Sequence, residues 1–324
     1  MKAQVTLGID IGGTNTALGL VDAEGHCFHE ESFSTLAQEP FSSFFSRLSG
    51  KIDALLQHFA HEYVLEGIGA AAPAGNYYRG TIDAPSNLKW GTVDFVHLMK
   101  DRYKIPVAIT NDANAAALGE MIYGEAKGMR DFIVITLGTG LGSGIVVNGN
   151  VIYGHDGLAG ELGHTVIEPG GRQCYCGRYG CLETYVSSRG ICRTVFELLA
   201  QRTEVSELRQ ISFNELTAVK IYECALRQDP LALAAFEYTG RILGRALADT
   251  VAYFSPEAII IFGGLAKAGE LLLAPTRRHF ENNLLEVFKG KVKIIPSGVT
   301  QCNIAVLGAS VLIQKEIEKM NRAV

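Results

Sequence analysis

The chain carries one short pattern twice, 126 residues apart. Val5 to Ile9 is a strand-forming run that ends in Asp10-Ile11-Gly12-Gly13-Thr14-Asn15, and Ala17 to Val21 follows before the turn Asp22-Ala23-Glu24-Gly25. Phe132 to Ile135 is again apolar, and Leu137-Gly138-Thr139-Gly140-Leu141-Gly142-Ser143-Gly144 is glycine-rich. Ile145 to Val147 then leads into Asn148-Gly149, a strong hairpin signal between β runs. Superposed, Gly12 falls on Gly138, Thr14 on Gly140 and Asp22 on Asn148. The repeat predicts an internal duplication: two lobes, each opening with a β-hairpin whose glycine turn faces a shared cleft.

The segments between and after the hairpins set the fold class. A helix is expected over about Phe41 to Phe59, a strand over Glu66 to Ala71, and a strand over Val107 to Ile109 that runs into a helix from Ala113. Ser212 and Glu215 have capping-box spacing. Asp229 and Pro230 place an N-cap and a first-turn proline ahead of a helix reaching about Tyr253. Ala258 to Phe262 and Val292 to Ile295 read as strands, and Ile304 to Lys319 as a closing helix. Strands alternate with helices while hairpins open each lobe, which means α/β with mixed sheets. The expected lobes are residues 1–119 with 305–324, and residues 120–304.

Composition narrows the function classes. The length of 324 residues and the 48% hydrophobic content allow two domains with sizeable cores. A net charge of -5 argues against a nucleic-acid surface, and no apolar run approaches a membrane span. No secretory signal precedes the first strand, so the scattered Cys27, Cys192, Cys224 and Cys302 read as buried thiols of a cytosolic protein.

Strand, Asp-x-Gly-Gly-Thr, strand is a phosphate-binding turn: the glycines let backbone N–H groups point at phosphate oxygens, and the threonine hydroxyl adds a donor. Asp10 at the strand end is suited to a hydrated Mg2+ beside those phosphates. Gly138-Thr139-Gly140 offers a second cradle, and two cradles suit a nucleoside triphosphate. No Gly-Lys-Ser/Thr follows, so this is not a Walker loop. A dinucleotide fold would need a helix directly after the glycines, where this chain continues as strand. Glycine turns that only connect strands are the plain alternative. Asn111-Asp112 stands where a strand meets a helix N-terminus, which favours the ionised carboxylate. Asp112 suits the base that accepts a hydroxyl proton in phosphoryl transfer, with Asn111 and Asn114 beside it; simple N-capping is the competing explanation.

His164, Cys174, Cys176 and Cys181 form an H-x9-C-x-C-x4-C array within eighteen residues. Three thiolates and an imidazole are the chemistry of a closed, structural Zn2+ site, and a metal-free or disulfide-linked loop is the alternative. Glu161 and Glu183 bracket the array, which points to a small polar ligand held near it.

Taken together, D-x-G-G-T, N-D-A-N-A-A-A-x-G-E, G-E-x-G-H and C-x-C-G-x-x-G-C-x-E resemble the ROK family (repressors, open reading frames and sugar kinases) over essentially the whole chain. The resemblance implies a two-lobed, actin-like ATPase (ribonuclease H-like) fold with an inter-lobe cleft that closes over a hexose and MgATP. Phosphate would pass to the sugar 6-hydroxyl, with glucose the leading substrate, N-acetylhexosamines or fructose as alternatives, and a non-catalytic sugar-binding sensor as the other reading. It implies Asp112 as catalytic base and Asn111, Glu161, His164 and Glu183 as sugar ligands. His164 would serve twice, one ring nitrogen on zinc and the other toward the sugar. Cys174, Cys176 and Cys181 would complete the metal site. Asp10, Gly12, Gly13, Thr14, Asn15, Thr139 and Gly140 would line the phosphate turns, and Gly263-Gly264 the adenosine. Gly75 and Asn87 would belong to the sugar-side loop, where Ser86 reads as an insertion and Tyr77-Tyr78 replace smaller or acidic residues. A homodimer is implied as well. Family repressors carry a helix-turn-helix ahead of this body, and a first turn at Asp10 leaves no room for one, so an enzyme is expected.

Overall fold

The computed structural model describes residues 2–85, 87–299 and 302–322; Ser86 lies outside the described residues. The chain begins with the antiparallel strands β1 (Ala3–Ile11), β2 (Asn15–Val21) and β3 (Cys27–Ser34). Helix α1 (Phe41–His58) and β4 (Tyr63–Ala72) follow. Three short strands, β5 (Gly75–Asn76), β6 (Thr81–Asp83) and β7 (Thr92–Val93), make a small separate sheet. Next come α2 (Phe95–Tyr103), β8 (Val107–Asn111) and α3 (Asp112–Tyr123). The second hairpin is β9 (Phe132–Leu137) and β10 (Leu141–Val147), followed by the short β11 (Asn150–Val151). After it come α4 (Ser188–Gln201), α5 (Ala218–Leu226), α6 (Pro230–Phe254), β12 (Ala258–Phe262), α7 (Glu270–Asn283), β13 (Lys293–Pro296) and α8 (Ile304–Arg322).

The chain divides into two compact units. One comprises Met1–Gly128, Val151–Ala159 and Gly298–Val324, the other Met129–Asn150 and Gly160–Ser297. The first has a sheet ordered β3-β2-β1-β4-β8 and the second a sheet ordered β11-β10-β9-β12-β13. In each, the opening strand is antiparallel to its hairpin partner and parallel to the strand on its other side. The mixed α/β sheets expected from the sequence are therefore present, and present twice. The 126-residue superposition holds at the hairpins, since residues 12–14 and 138–140 are the two turns and β2 coincides with β10. Pairing differs by one residue: Ile11 faces Thr16, whereas Leu137 faces Leu141. The second turn is shorter than the glycine run suggests. Gly142 and Gly144 are paired in the ladder with Thr136 and Val134, and those backbone bonds outweigh glycine's weakness in a strand.

In the first unit, Leu7, Ile9 and Ile11 of β1 and Ile68 of β4 are fully or almost fully buried with Phe44, Leu48 and Ile52 of α1 and Phe95 of α2. Helix α8 packs against β1, β4 and α3. That approach is close enough that a Cβ at Gly69 would stand 1.8 Å from Ala309 O, and one at Gly308 1.7 Å from Ala115 O. The seam fixes α3, and hence the start of α3 where Asp112 sits. In the second unit, Asp229 caps α6 by accepting from Leu231 N and Ala232 N at 3.0 Å, with Pro230 in the first turn as expected. Ser212 and Glu215 begin no helix. The Ser212 hydroxyl donates to Glu215 at 2.7 Å and closes a turn, while α5 starts at Ala218 under a Thr217 cap. A side-chain bond of this kind satisfies the turn locally and removes the need to continue as helix. Among the described residues no helix is long and apolar enough to cross a membrane.

Candidate active site and metal centre

In the first unit the turn after β1 is tied at both ends. Gly12 N donates to Asn15 O at 2.9 Å, and Thr35 N donates to Thr14 O at 2.9 Å. The Thr35 hydroxyl donates to Gly12 O at 2.7 Å and lies 2.9 Å from the Thr16 hydroxyl. With these two threonines fully buried, the N–H groups of Gly13 and Thr14 donate to no backbone carbonyl among the described residues. Asp10, at the end of β1, accepts from the Asn303 side chain at 2.8 Å. Burial lifts the Asp10 carboxyl to about 6; the Asn303 amide opposes this, and the charges of Asp112 and Glu30 add to it.

Asn111 and Asp112 occupy the junction of β8 and α3. Asn111 is the N-cap, its Oδ1 accepting from Ala113 N at 2.8 Å, and Asp112 Oδ1 accepts from the same N–H at 2.9 Å. Burial pushes the Asp112 carboxyl above the usual aspartate range, while the N–H groups of Ala113 and of Asp112 itself pull the other way. Desolvation thus outweighs the helix N-terminus. One turn on, the buried Asn114 Oδ1 finds no hydrogen-bond partner among the described residues. Gly75 packs onto β8, where a Cβ would meet Thr110 O at 2.3 Å. A Cβ on Gly13 would meet the Asn87 amide nitrogen at 3.0 Å, so the sugar-loop asparagine and the phosphate turn are neighbours in the first unit.

In the second unit, Glu161 and Cys181 each precede a short 3-10 turn, Leu162–His164 and Leu182–Thr184. The ligand atoms of His164, Cys174, Cys176 and Cys181 all lie within 4.8 Å of one another. His164 Nδ1 is 3.7 Å from Cys174 Sγ, and Cys176 Sγ is 3.6 Å from Cys181 Sγ. Between them Cys174 N donates to Arg178 O and Gly177 N to Cys174 O, a tight turn that needs φ of +88° at Gly177. At Gly180, φ is +79° and a Cβ would stand 1.8 Å from Glu168 O. Burial works against the Cys176 thiolate, yet the backbone and side-chain N–H groups of Arg178, with the thiols of Cys174 and Cys181, hold Cys176 down at about 6. Three sulfurs and one imidazole brought to a point fit a tetrahedral Zn2+.

The carboxylates follow from this clip. Glu183 Oε1 is 3.9 Å from His164 Nδ1, and its Oε2 accepts from Leu141 N at 3.3 Å. A Cβ on Gly140 would stand 2.5 Å from that same Oε2, so Glu183 borders the second glycine turn. The other ring nitrogen of His164, Nε2, lies 4.0 Å from Glu161 Oε2. The two faces of the imidazole therefore point to different neighbours. Gly138 O accepts from Ser188 N at 2.9 Å, the start of α4. Gly263, with φ of +108°, packs on Leu137, while a Cβ on Gly264 would meet nothing within 4 Å.

The ROK family model matches residues 6–316, nearly the whole chain. This chain belongs to the ROK family. It is 37% identical over 279 residues to a glucokinase of Halalkalibacterium halodurans, covering 85% of this chain and 84% of that one. An N-acetylglucosamine repressor of Escherichia coli O157:H7 is 30% identical over 226 residues, 70% of this chain and 53% of the repressor. Among solved structures, a ROK glucokinase from Streptomyces griseus in complex with glucose and AMPPNP superposes with a TM-score of 0.82 at 31% identity. That match covers 96% of this chain and 99% of the other. The fold is the actin-like ATPase fold.

Several residues that hold this ROK site together carry no motif of their own. Arg172 is buried beneath the cysteine array, donating from Nε to Glu197 at 2.8 Å and from Nη1 to Thr184 O at 2.8 Å. Its guanidinium lies 4.4 Å over the Tyr185 ring, whose hydroxyl in turn accepts from Arg172 N. Glu120, by contrast, closes the N-D-A-N-A-A-A-x-G-E run; it is fully buried in α3 and accepts from Glu125 N at 2.8 Å. Thr35 and Arg172 act through partners far along the chain, which leaves no local signature to read.

Proposed function

We propose that this chain is an ATP-dependent glucokinase that transfers the terminal phosphoryl group of ATP to the 6-hydroxyl of glucose. The observation that carries the reading is the pairing of a part-buried carboxylate at a helix start, Asp112, with a glycine turn whose own carboxylate, Asp10, feels the Asp112 charge. Likeness to glucokinases over most of both chains supports the same conclusion.

In this reading Asp112 accepts the proton of the sugar 6-hydroxyl as the new O–P bond forms, and Asn111 orients that hydroxyl. A carboxylate with a raised pKa is a stronger base once ionised, which suits a proton transfer near neutral pH. Glu161, Nε2 of His164 and Glu183 hold the remaining sugar hydroxyls, with Gly75 and Asn87 on the loop beside Asp112. Gly12, Gly13, Thr14, Asn15, Thr139 and Gly140 present backbone and hydroxyl donors to phosphates, and Gly263-Gly264 admit the adenosine. Asp10 would hold a hydrated Mg2+, which when bound would neutralise charge on the phosphoryl oxygens. His164, Cys174, Cys176 and Cys181 would hold a structural Zn2+, which when bound would steady His164 and Glu183. A cytoplasmic homodimer completes the proposal, with light scattering during size exclusion as its check.

An ADP-release assay with MgATP over glucose, fructose, N-acetylglucosamine and N-acetylmannosamine tests the function. Glucose should give the highest kcat/KM. A higher value on an N-acetylhexosamine would move the substrate assignment, and no turnover on any sugar would return the chain to the repressor-like branch of its family.

A further inference from the structure

Away from these residues, the first unit gathers one more set of soft ligands. Cys27 opens β3, Glu30 lies three residues along it, and Cys302 stands two residues before α8. Their sulfur and carboxylate atoms lie within 4.8 Å of one another. Residues three apart on a regular strand point to opposite faces. Here a β-bulge intervenes: Glu30 pairs with Gly19, His29 with Leu20, and Cys27 with Val21, which leaves Phe28 as the extra residue. The bulge turns Cys27 onto the face of Glu30, the kind of re-aiming that bulges provide. Room for its sulfur comes from Gly19, where a Cβ would stand 3.1 Å from Cys27 Sγ.

The surroundings suit an ion as well. Asn303 N donates to Glu30 Oε1 at 3.3 Å, which steadies the carboxylate over the two sulfurs. Cys302 is buried, Cys27 half-buried and Glu30 exposed, so the cluster opens to solvent on one side. Two thiols and a carboxylate are a donor set that selects a thiophilic divalent ion over Mg2+.

We propose that Cys27, Glu30 and Cys302 form a second metal site, binding a thiophilic divalent cation such as Zn2+ through two sulfurs and one carboxylate oxygen with water in the fourth position. Binding releases one proton from each thiol to the buffer and changes no oxidation state. The site has a mechanical consequence for the phosphate turn. Asn303, the next residue after Cys302, donates from Nδ2 to Asp10 at 2.8 Å and accepts from Ala305 N at 2.8 Å to cap α8. An ion on Cys302 therefore anchors the residue that orients Asp10.

The test is a Cd2+ titration of the reduced, metal-stripped full chain, followed by thiolate-to-metal charge-transfer absorbance and by elemental analysis after desalting. The wild-type chain should bind two ions, and Cys27→Ser and Cys302→Ser one each. Glu30→Gln should retain both, with the second bound about tenfold or more weakly. Cys176→Ala, which damages the other array, should keep the charge-transfer signal of the Cys27 site. One ion in the wild-type chain, with the count unchanged in Cys27→Ser, would overturn the proposal. So would a Cys27–Cys302 disulfide persisting under reductant with only one ion bound. The partly exposed Cys27→Ser arm does not depend on the fold tolerating loss of the His164 array.

Discussion

The two glycine turns share a strand order, yet their pairing differs by one residue and they are held by different means. The first is supported from within its own hairpin meander: Thr16 and Thr35 brace it, and Asp10 brings a carboxylate from the strand that leads into it. The second has Thr136 at the position matching Asp10 in the superposition and takes its carboxylate from Glu183, on a loop shaped by the cysteine array. The duplicated element is therefore the backbone cradle. Charge was placed separately in each copy, once on a strand end and once through a candidate metal clip. Local support needs only sheet pairing; imported support needs a folded loop of some twenty residues, which a hydrophobic core alone does not shape.

Breaking the carboxylate chemistry of the first unit should have the largest effect. Asp112→Asn keeps the Ala113 N–H bond but cannot take a proton, and kcat should fall by about a thousandfold or more while glucose binding measured by calorimetry is retained. Near-normal kcat would remove Asp112 from the base role. Because burial raises the Asp112 pKa, the acid limb of kcat/KM in the wild-type enzyme should lie above the ordinary aspartate value. Rate is lost there as pH falls and the base is protonated.

Breaking the clip of the second unit comes next. Cys176→Ala, or chelation, should raise the KM for glucose about 10–100-fold, because Glu183 and His164 lose their common support. Protease cleavage within residues 160–183 should rise in parallel. An unchanged KM in protein shown to be metal-free would separate the array from the sugar site.

Asp10→Asn sharpens the contrast in a different observable. The folded Asp10 value of about 6 exceeds the ordinary 3.8, so its contribution to stability is present below pH 4 and lost as pH rises through 6. At pH 7.5 the ionised carboxyl costs about 2 kcal/mol, allowing for the part solvent reaches, and the amide removes that cost. The variant should melt higher than wild type at pH 7.5, with the advantage vanishing below pH 4, and should turn over more slowly. Thr35→Val is the smallest change: losing the hydroxyl bond to Gly12 O should cost about 1 kcal/mol in urea denaturation. The valine should also weaken MgATP binding more than sugar binding.

Much of this architecture could be read from residue order. The hairpins, the strand Ala258–Phe262 and the start of the α6 helix follow from apolar periodicity and from Asp229-Pro230, signals that act within a few residues. The glycine run past Gly140 leaves the turn's end open, because glycine permits a turn without requiring one, and the pairing to β9 decides. Ser212 and Glu215 show the converse: the spacing of a cap can be satisfied by a turn alone.

Residue order by itself determined which chemistries are available: the ligand types of the cysteine array, the carboxylate at a strand–helix junction and the two phosphate turns. Only the tertiary structure decided their settings. Burial, not the helix N-terminus, governs the Asp112 carboxyl, because desolvation depends on everything packed around it. The placement of Glu183 at the second turn, the Arg172 anchor beneath the array and the meeting of Cys27, Glu30 and Cys302 join segments far apart in the chain. Such contacts are set by packing and by one inserted strand residue, neither of which leaves a periodic trace in sequence.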